Sequence, residues 1–547
     1  MIIMYKHYTL CLLSIFLFIS LSYCKRLQNV LVLIGDDAGF ESPVYNNNIC
    51  KTPNLMKLAE RSVIFKQAYT SVSSCSPSRS AILSGLPQHQ NGMYGLHHKV
   101  HHFNSFDKVK SLPLLLQKAG IRTGIIGKKH VGPEYVYPFD FSQTEENHSI
   151  LQIGRNITYM KNYLHQFLNS NDTRPFFMYI GFHDPHRCGA THPEYGSFCE
   201  KFGNGEPGMG SIVDWQPVHY KPDDVIVPYF VQDTPMARAD IAAQYTTISR
   251  LDQGIGLMIK ELELAGVLDD TLIIYSSDNG IPFPNGRTNL FDAGMAEPML
   301  ISSPYNTHRW AQQSNAMVSL VDIVPTVLEW FGLHYPDYKL NKQLVKLTGK
   351  SLLPILSEEP VSGWDHVYAS HDLHEVTMYY PMRVLRNRQY KLIHNLNYKM
   401  PFPIDQDFYL SPTFQDILTR TRHKENLNWT KSLKTYYYRP QWELYDIVND
   451  SQELKNLAYN KQYLDVIKSL RIELNQWQNV TADPWICAPT GVLEASGTYK
   501  THPSCLPLDN GMDEEDDELV NRYTLPSKTH LGLNLFNFKF VAWGLLP

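Results

Sequence analysis

Short apolar runs bounded by turn residues recur between about Leu27 and Gly294, and four of them finish in polar clusters. Asn29-Val30-Leu31-Val32-Leu33-Ile34 runs into Gly35-Asp36-Asp37, and Arg122-Thr123-Gly124-Ile125-Ile126 into Gly127-Lys128-Lys129-His130. Phe176-Phe177-Met178-Tyr179-Ile180-Gly181-Phe182 leads to His183-Asp184-Pro185-His186, and Thr271-Leu272-Ile273-Ile274-Tyr275-Ser276-Ser277 to Asp278-Asn279-Gly280. Runs this continuous, rich in β-branched and aromatic residues, predict strands buried on both faces of a largely parallel sheet. Helical spacing between them, as at Ser111 to Ala119 and Arg238 to Ala265, completes an α/β alternation. Ligands of such sheets bind beyond the carboxyl ends of the strands, where all four polar clusters fall.

Near Tyr379 the pattern shifts. "YYPMRVLRNRQYKLIHNL" alternates apolar and charged residues and predicts antiparallel strands, and Leu454 to Trp477 has helical spacing. The expected organisation is a large α/β domain over 25–378 and a smaller α+β domain over 379–508. The Pro- and aromatic-rich stretch "MPFPIDQDFYLSPTFQD" reads equally as the lining of a substrate entrance, a dimer contact or a structural loop. Residues 509–547, acidic in "MDEEDDE" and apolar at the end, read as a disordered tail. No internal repeat is present.

Lys6 and His7 precede the apolar run Leu10 to Leu21, and Ser20, Ser22 and Cys24 precede Lys25-Arg26. That layout predicts a cleaved secretory signal over residues 1–24. The run falls short of the ~20 residues of a membrane-spanning helix, so no stable membrane insertion is expected. Sequons at Asn147, Asn156, Asn171, Asn428, Asn449 and Asn479 fit a secreted or lysosomal glycoprotein. The net charge of −5 supplies no basic field for nucleic acid, so recognition of any anion must be local. Of the 8 cysteines, Cys11 and Cys24 leave with the signal. Cys188 and Cys199, and Cys487 and Cys505, are close enough in sequence to close local loops. A further disulfide between Cys50 and Cys75 is the plain reading of the remaining two.

Asp36, Asp37 and Asp278 offer carboxylates and Asn279 an amide oxygen, a hard-oxygen set suited to Ca²⁺ or Mg²⁺. Taken singly, each is ordinary: an Asp pair can cap a turn, and Asp-Asn-Gly is a common turn sequence. Lys128, Lys129, His130 and His186 are ordinary surface charges if taken alone, yet beside a metal site they suggest a place for a multi-oxygen anion. Zinc is disfavoured, with no thiolate set and no tight helical His pair. In "SCSPSRSAILSG", Pro77 suits the first turn of a helix, Ser74 or Ser76 its cap, and Gly85 its stop. Cys75 then sits where free N–H groups and the helix dipole attract anions, with Arg79 about one turn on. On these residues alone, disulfide, inert thiol and reactive site carry similar weight.

Cys75-Ser76-Pro77-Ser78-Arg79 followed by Leu83-Ser84-Gly85 resembles the sulfatase signature, C-x-P-S-R-x-x-x-L-[TS]-G. The Asp-Asp pair, Gly-Lys-x-His, His-x-Pro-His and Asp-Asn-Gly match that family in the same order. The resemblance implies an alkaline-phosphatase-like domain with a mostly parallel sheet flanked by helices, and a smaller C-terminal α+β domain with an antiparallel sheet. It implies oxidation of Cys75 to Cα-formylglycine by the formylglycine-generating enzyme, and one Ca²⁺ per subunit held by Asp36, Asp37, Asp278, Asn279 and residue 75. Arg79, Lys128, His130 and Arg287 would neutralise sulfate oxygens, and His186 would protonate the leaving group. His130 would also help deprotonate the second hydroxyl of the aldehyde hydrate. Many members carry lysine where Arg287 aligns. Lys129 and His183 read either as parts of the sugar pocket or as packing behind it.

"GLPQHQNGMYGLHH", "GKKHVGPE", "FCEKFGNGE", "DNGIPFPNGRTNL", "MPFPIDQDFYLSPTFQD" and "DPWICAP" narrow the resemblance to the branch that removes N-linked sulfate from terminal glucosamine of heparan sulfate. That implies heparan sulfate fragments as substrate, a lysosomal location and a homodimer. Two other readings stand beside it: an ester sulfatase on another glycosaminoglycan or an aryl sulfate, and a non-catalytic Ca²⁺-dependent binder of sulfated glycans.

Overall fold

Eight strands form one sheet in the order β4-β3-β5-β1-β6-β7-β2-β8. They are β1 (Asn29–Asp36), β2 (Val63–Tyr69), β3 (Arg122–Gly127), β4 (Phe141–Thr144), β5 (Phe176–Pro185), β6 (Thr271–Ser277), β7 (Ala296–Ser302) and β8 (Gln313–Ser319). β1 pairs in parallel with β5 and β6, and β3 in parallel with β4 and β5. β7 alone runs antiparallel to its neighbours β6 and β2, while β2 and β8 are parallel. This computed structural model describes residues 29–148, 152–189, 195–340, 343–427 and 429–508. The expected signal over 1–24, the tail over 509–547 and the sequon at Asn428 lie outside the described residues.

The continuous apolar runs are explained by burial on both faces. Val30, Val32, Ile34, Phe177 and Tyr179 pack on one side with Ile82 and Leu83 and with the helix Ile323–Trp330. Leu31, Leu33, Met178 and Ile180 pack on the other with Met160 and Leu164 and with Ile255, Met258 and Leu262. The latter residues belong to the helices Ile157–Leu168 and Pro235–Leu264.

A second sheet is antiparallel throughout and begins before residue 379. His366–His371 pairs with Met382–Asn387, which pairs with Tyr390–Asn395 and then Trp442–Asp446. Its one face, with Tyr380, Met382, Val384 and Ile393, packs on Leu290, Phe291 and Met317 of the large unit. The other, with Leu385, Leu392 and Leu444, is covered by Ile467, Leu470, Leu474 and Trp477. These last residues lie on the helix Leu464–Val480, which starts ten positions after the Leu454 expected from spacing. Between them Asp450 accepts the N–H groups of Leu454 and Lys455, and Asn456 those of Leu444 and Ala458. Side-chain acceptors thus fix Leu454, Lys455 and Ala458 in a non-helical turn where the periodicity places the helix start.

Cys188 and Cys199 are disulfide-bonded, as are Cys487 and Cys505. Cys50 and Cys75 are both free and buried, so the third disulfide is absent. Among the sequon asparagines Asn147, Asn171 and Asn449 are exposed, whereas Asn156 caps the helix it precedes. No helix among the described residues is long and apolar enough to cross a membrane.

Candidate active site

The carboxyl ends of β1, β3, β5 and β6 converge, and the helix Cys75–Ser84 points its N-terminus into the same place. Ser74 is the N-cap, extended at φ −167° and ψ 136°, and Gly85 ends the helix in the left-handed region at φ 72°. Ser74 does not cap with its side chain; its Oγ lies 2.8 Å from His374 Nδ1, which ties the helix start to the segment between the first two strands of the second sheet. Every residue of this helix is buried, which makes Cys75 a sealed N-terminal position rather than a surface thiol. Burial pushes the Cys75 thiol well up, with Asp36 and Asp37 adding to the effect against Lys128, so a thiolate is disfavoured here.

Asp36, Asp37, Asp278 and Asn279 are fully buried together. Arg79, itself 0% exposed, donates to Asp36 Oδ1 at 3.2 Å and to Asp278 Oδ2 at 2.9 Å. Its Nη1 also donates to the Lys128 carbonyl at 3.0 Å. The sequence suggests that Arg79 grips an anion; its guanidinium here braces two carboxylates and the end of β3. Lys128 Nζ donates to Asp36 Oδ2. Two glycines let the ends of β3 and β5 lie this close. A Cβ on Gly127 would lie 2.1 Å from the Gly181 carbonyl, and one on Gly181 would lie 2.2 Å from the Lys128 carbonyl.

Asp37 sits at φ 59°, a left-handed position that Asp tolerates. It accepts from Asn279 Nδ2 at 2.7 Å and from Arg287 Nη1. Arg287 also pairs with Asp405 Oδ2 at 3.1 Å and with Asp407. Asp405 and Asp407 come from the Pro- and aromatic-rich "MPFPIDQDFYLSPTFQD", which the sequence offers as an entrance lining, a dimer contact or a loop but in which it marks neither aspartate. His186 Nδ1 lies 2.7 Å from the Arg187 carbonyl and therefore donates to it. Its Nε2 faces inward, 3.0 Å from Arg287 Nη1 and 3.7 Å from Asp407 Oδ2.

His130, at φ 56°, donates its backbone N–H to Glu146 Oε1 at 2.8 Å, and its Nε2 lies 2.5 Å from His98 Nδ1. His183 is hydrogen-bonded to Glu145 at 2.7 Å and is 3.8 Å from Asp36. Lys129 is buried against Glu134. Ligand atoms of His183, Asp36 and His186 lie within 4.8 Å of one another, so His183 borders the cluster.

The buried carboxylates Asp36, Asp37, Asp278, Asp405 and Asp407 outnumber the cations Arg79, Lys128 and Arg287. Burial drives the Asp278 carboxyl up to about 7 despite Arg79, and raises Asp37 despite Arg287. For Asp36 burial opposes ionisation, yet Lys128 and Arg79 hold it well below the usual range. A divalent cation would offset the remaining charge. Ligand atoms of Asp36, Cys75 and Asp278 lie within 4.8 Å of one another, as do those of Asp37, Cys75 and His186. Asn279 Oδ1 is buried without a hydrogen-bond partner beside them. An orphaned oxygen among carboxylates fits an oxygen-seeking ion.

The sulfatase family model matches residues 28–333, which contain the whole strand-end cluster and the helix at Cys75. The chain belongs to the sulfatase family. This sulfatase is 60% identical over 496 residues to the human N-sulphoglucosamine sulphohydrolase, covering 90% of this chain and 98% of that protein. It is 24% identical to the N-acetylglucosamine-6-O-sulfatase of Bacteroides thetaiotaomicron, with 85% and 90% of the two chains covered. Its fold is also that of a solved protein in complex with its substrate D-glucosamine-2-N,6-O-disulfate. That pair superposes with a TM-score of 0.58 at 19% identity, over 83% of this chain and 98% of the other. The phosphonate monoester hydrolase of Agrobacterium radiobacter, at a TM-score of 0.56 and 18% identity, covers 88% of this chain with 99% of its own.

Proposed function

We propose that this sulfatase removes the N-linked sulfate from non-reducing terminal N-sulfoglucosamine of heparan sulfate fragments. The observation that carries the reading is a buried Cys75 at a helix N-terminus, facing three carboxylates and an unpaired amide oxygen, in a chain 60% identical to a human sulfohydrolase of that substrate. The reading extends to a soluble, glycosylated lysosomal homodimer that reaches its compartment by the secretory pathway.

Oxidation of Cys75 by the formylglycine-generating enzyme would supply an aldehyde hydrate, of which one hydroxyl would attack sulfur and the other, on losing its proton, would re-form the aldehyde and expel sulfate. Ca²⁺ held by Asp36, Asp37, Asp278, Asn279 and residue 75 would supply Lewis-acid polarisation of sulfate oxygens. The protein's own groups do the rest. Arg79 orients Asp36 and Asp278, and its bond to the Lys128 carbonyl aims β3 at the site. Lys128 and Arg287 border the anion position and offset the charge that shifts onto oxygen in the transition state. His186 donates Nδ1–H to a carbonyl and turns Nε2 inward, and only in its doubly protonated form would it give the Nε2 proton to the departing amine. His130 accepts a proton from residue 75. The smaller sheet contributes through Asp405 and Asp407, which hold Arg287 in place.

Mass spectrometry of the peptide spanning Cys75 tests the reading, together with hydrolysis assays on N-sulfated and 6-O-sulfated glucosamine. The aldehyde and selective release of N-sulfate are expected. An intact thiol would favour the sulfated-glycan binder, and selective ester cleavage the ester sulfatase.

A further inference from the structure

His98 lies in "GLHHKVHHFN", far from every motif of the strand-end cluster, yet its ring meets His130. Nδ1 of His98 and Nε2 of His130 are 2.5 Å apart, with ring centroids at 4.7 Å. Two imidazole nitrogens at hydrogen-bond distance share one proton, so one of them donates and the other accepts. The remaining nitrogen of His130, Nδ1, is buried and has no hydrogen-bond partner. His130 itself is 7% exposed, whereas His98 is half-buried at the edge of the cluster.

We propose that His98 is a positioning residue: its Nδ1 accepts the Nε2 proton of His130 and leaves His130 Nδ1 bare as the proton-accepting nitrogen of the site. The opposite arrangement puts the proton on Nδ1 of both rings, the minor tautomer of a free neutral imidazole. The arrangement proposed keeps both rings in the favoured Nε2–H form. It also explains the orphaned atom. Burial and the neighbouring Lys128 charge keep both imidazoles neutral, with His98 pushed down to about 4, so the tautomer question is well posed at neutral pH. On the proposed reaction, an O–H on residue 75 would give its proton to His130 Nδ1, and the positive ring would hold its Nε2 proton in the hydrogen bond to His98.

The role of Nδ1 in turnover rests on the proposed sulfatase reaction; the tautomer does not. The test uses the full-length secreted protein labelled with ¹⁵N-histidine, in the parent and in His98→Ala and His98→Gln variants. A His130→Gln variant identifies the His130 signals. The parent should show a protonated Nε2 and a bare Nδ1 at His130. His98→Gln, whose amide oxygen can accept the same proton, should keep that pattern, and His98→Ala should show a mixture of tautomers. With N-sulfoglucosamine, kcat should fall about tenfold in His98→Ala with KM unchanged, and stay within about twofold in His98→Gln. A protonated Nδ1 in the parent overturns the proposal, as does His98→Ala with the parent's tautomer and kcat. The parent spectrum decides even if a variant fails to fold. A parent that does not hydrolyse N-sulfate would overturn the proposed reaction and leave the nitrogen signals to decide the tautomer.

Discussion

Asn279 carries a buried amide oxygen that no group of the protein uses, while its nitrogen donates to Asp37 at 2.7 Å. If that oxygen is a metal ligand, Asn279→Ala will weaken Ca²⁺ binding by at least about tenfold. Titration calorimetry on the two proteins measures this, and equal affinities would remove Asn279 from the metal-binding set. Arg287 poses a different question, because it stands against Asp37, Asp405 and Asp407 in a fully buried place. Arg287→Met strands those carboxylates, and about 3 kcal/mol or more of stability should be lost in urea unfolding at neutral pH. Arg287→Lys should fall between, since one ammonium cannot span three carboxylates as a guanidinium fork does. A loss below about 1 kcal/mol for Arg287→Met would mean that these carboxyls are already neutral. Cys75, Arg79, Lys128, His130, His186 and the Asp and Asn set were legible in the sequence because each lies in a short motif. Asp405 was not legible as a partner of Arg287, since 118 positions separate the two.

The strand ends impose tighter demands than the motifs suggest. β3 and β5, paired in parallel, run so close at Gly127 and Gly181 that each glycine faces backbone of the neighbouring segment. A Cβ on Gly181 would meet the Lys128 carbonyl at 2.2 Å and Arg79 Nη1 at 3.0 Å, and backbone cannot swing aside as a side chain can. Gly181→Ala should therefore cost about 2 kcal/mol or more and displace Lys128 and Arg79 together. Thermal unfolding and turnover should fall in parallel; a stable variant with normal turnover would show that β3 shifts freely. The helix at Cys75 was readable from Pro77 and Gly85, because caps and stops are local chemistry. Its cap was read less well. Ser74 holds His374 instead of its own helix, a choice made by a residue 300 positions away. The late start of the helix Leu464–Val480 has a similar cause, since Asp450 and Asn456 fix in a turn the residues where periodicity places the helix start.

His89 pins the large unit to the smaller one. Its Nδ1 lies 2.9 Å from Ser370 Oγ, its Nε2 lies 2.8 Å from Thr481 Oγ1, and Trp477 packs edge-on against it. Burial pushes this imidazole down to about 3, far below the ~6.5 of an unfolded histidine. The fold thus holds the neutral ring, and its contribution is complete above about pH 6.5 and is lost as pH falls toward 3. His371 titrates in the same direction, while Asp372, raised by burial to about 6, opposes it. Comparison with His89→Gln isolates the one ring. Between pH 7 and pH 5 the parent should lose about 2 kcal/mol more stability than the variant, read from urea unfolding at both values. Equal losses would mean that His89 is protonated in the folded protein. The sequence by itself determined the buried strands, their order along the chain and the chemistry at their ends, because strand period, turn residues and helix stops act over a few neighbours. Only the tertiary structure decided that His366–His371 joins the second sheet, that Asp405 and Asp407 hold Arg287, and that His98 meets His130. The Asp405, Asp407 and His98 contacts join segments that no short motif links, and they follow from which charges and proton carriers must share a buried space, while the added strand follows from the neighbour it pairs with.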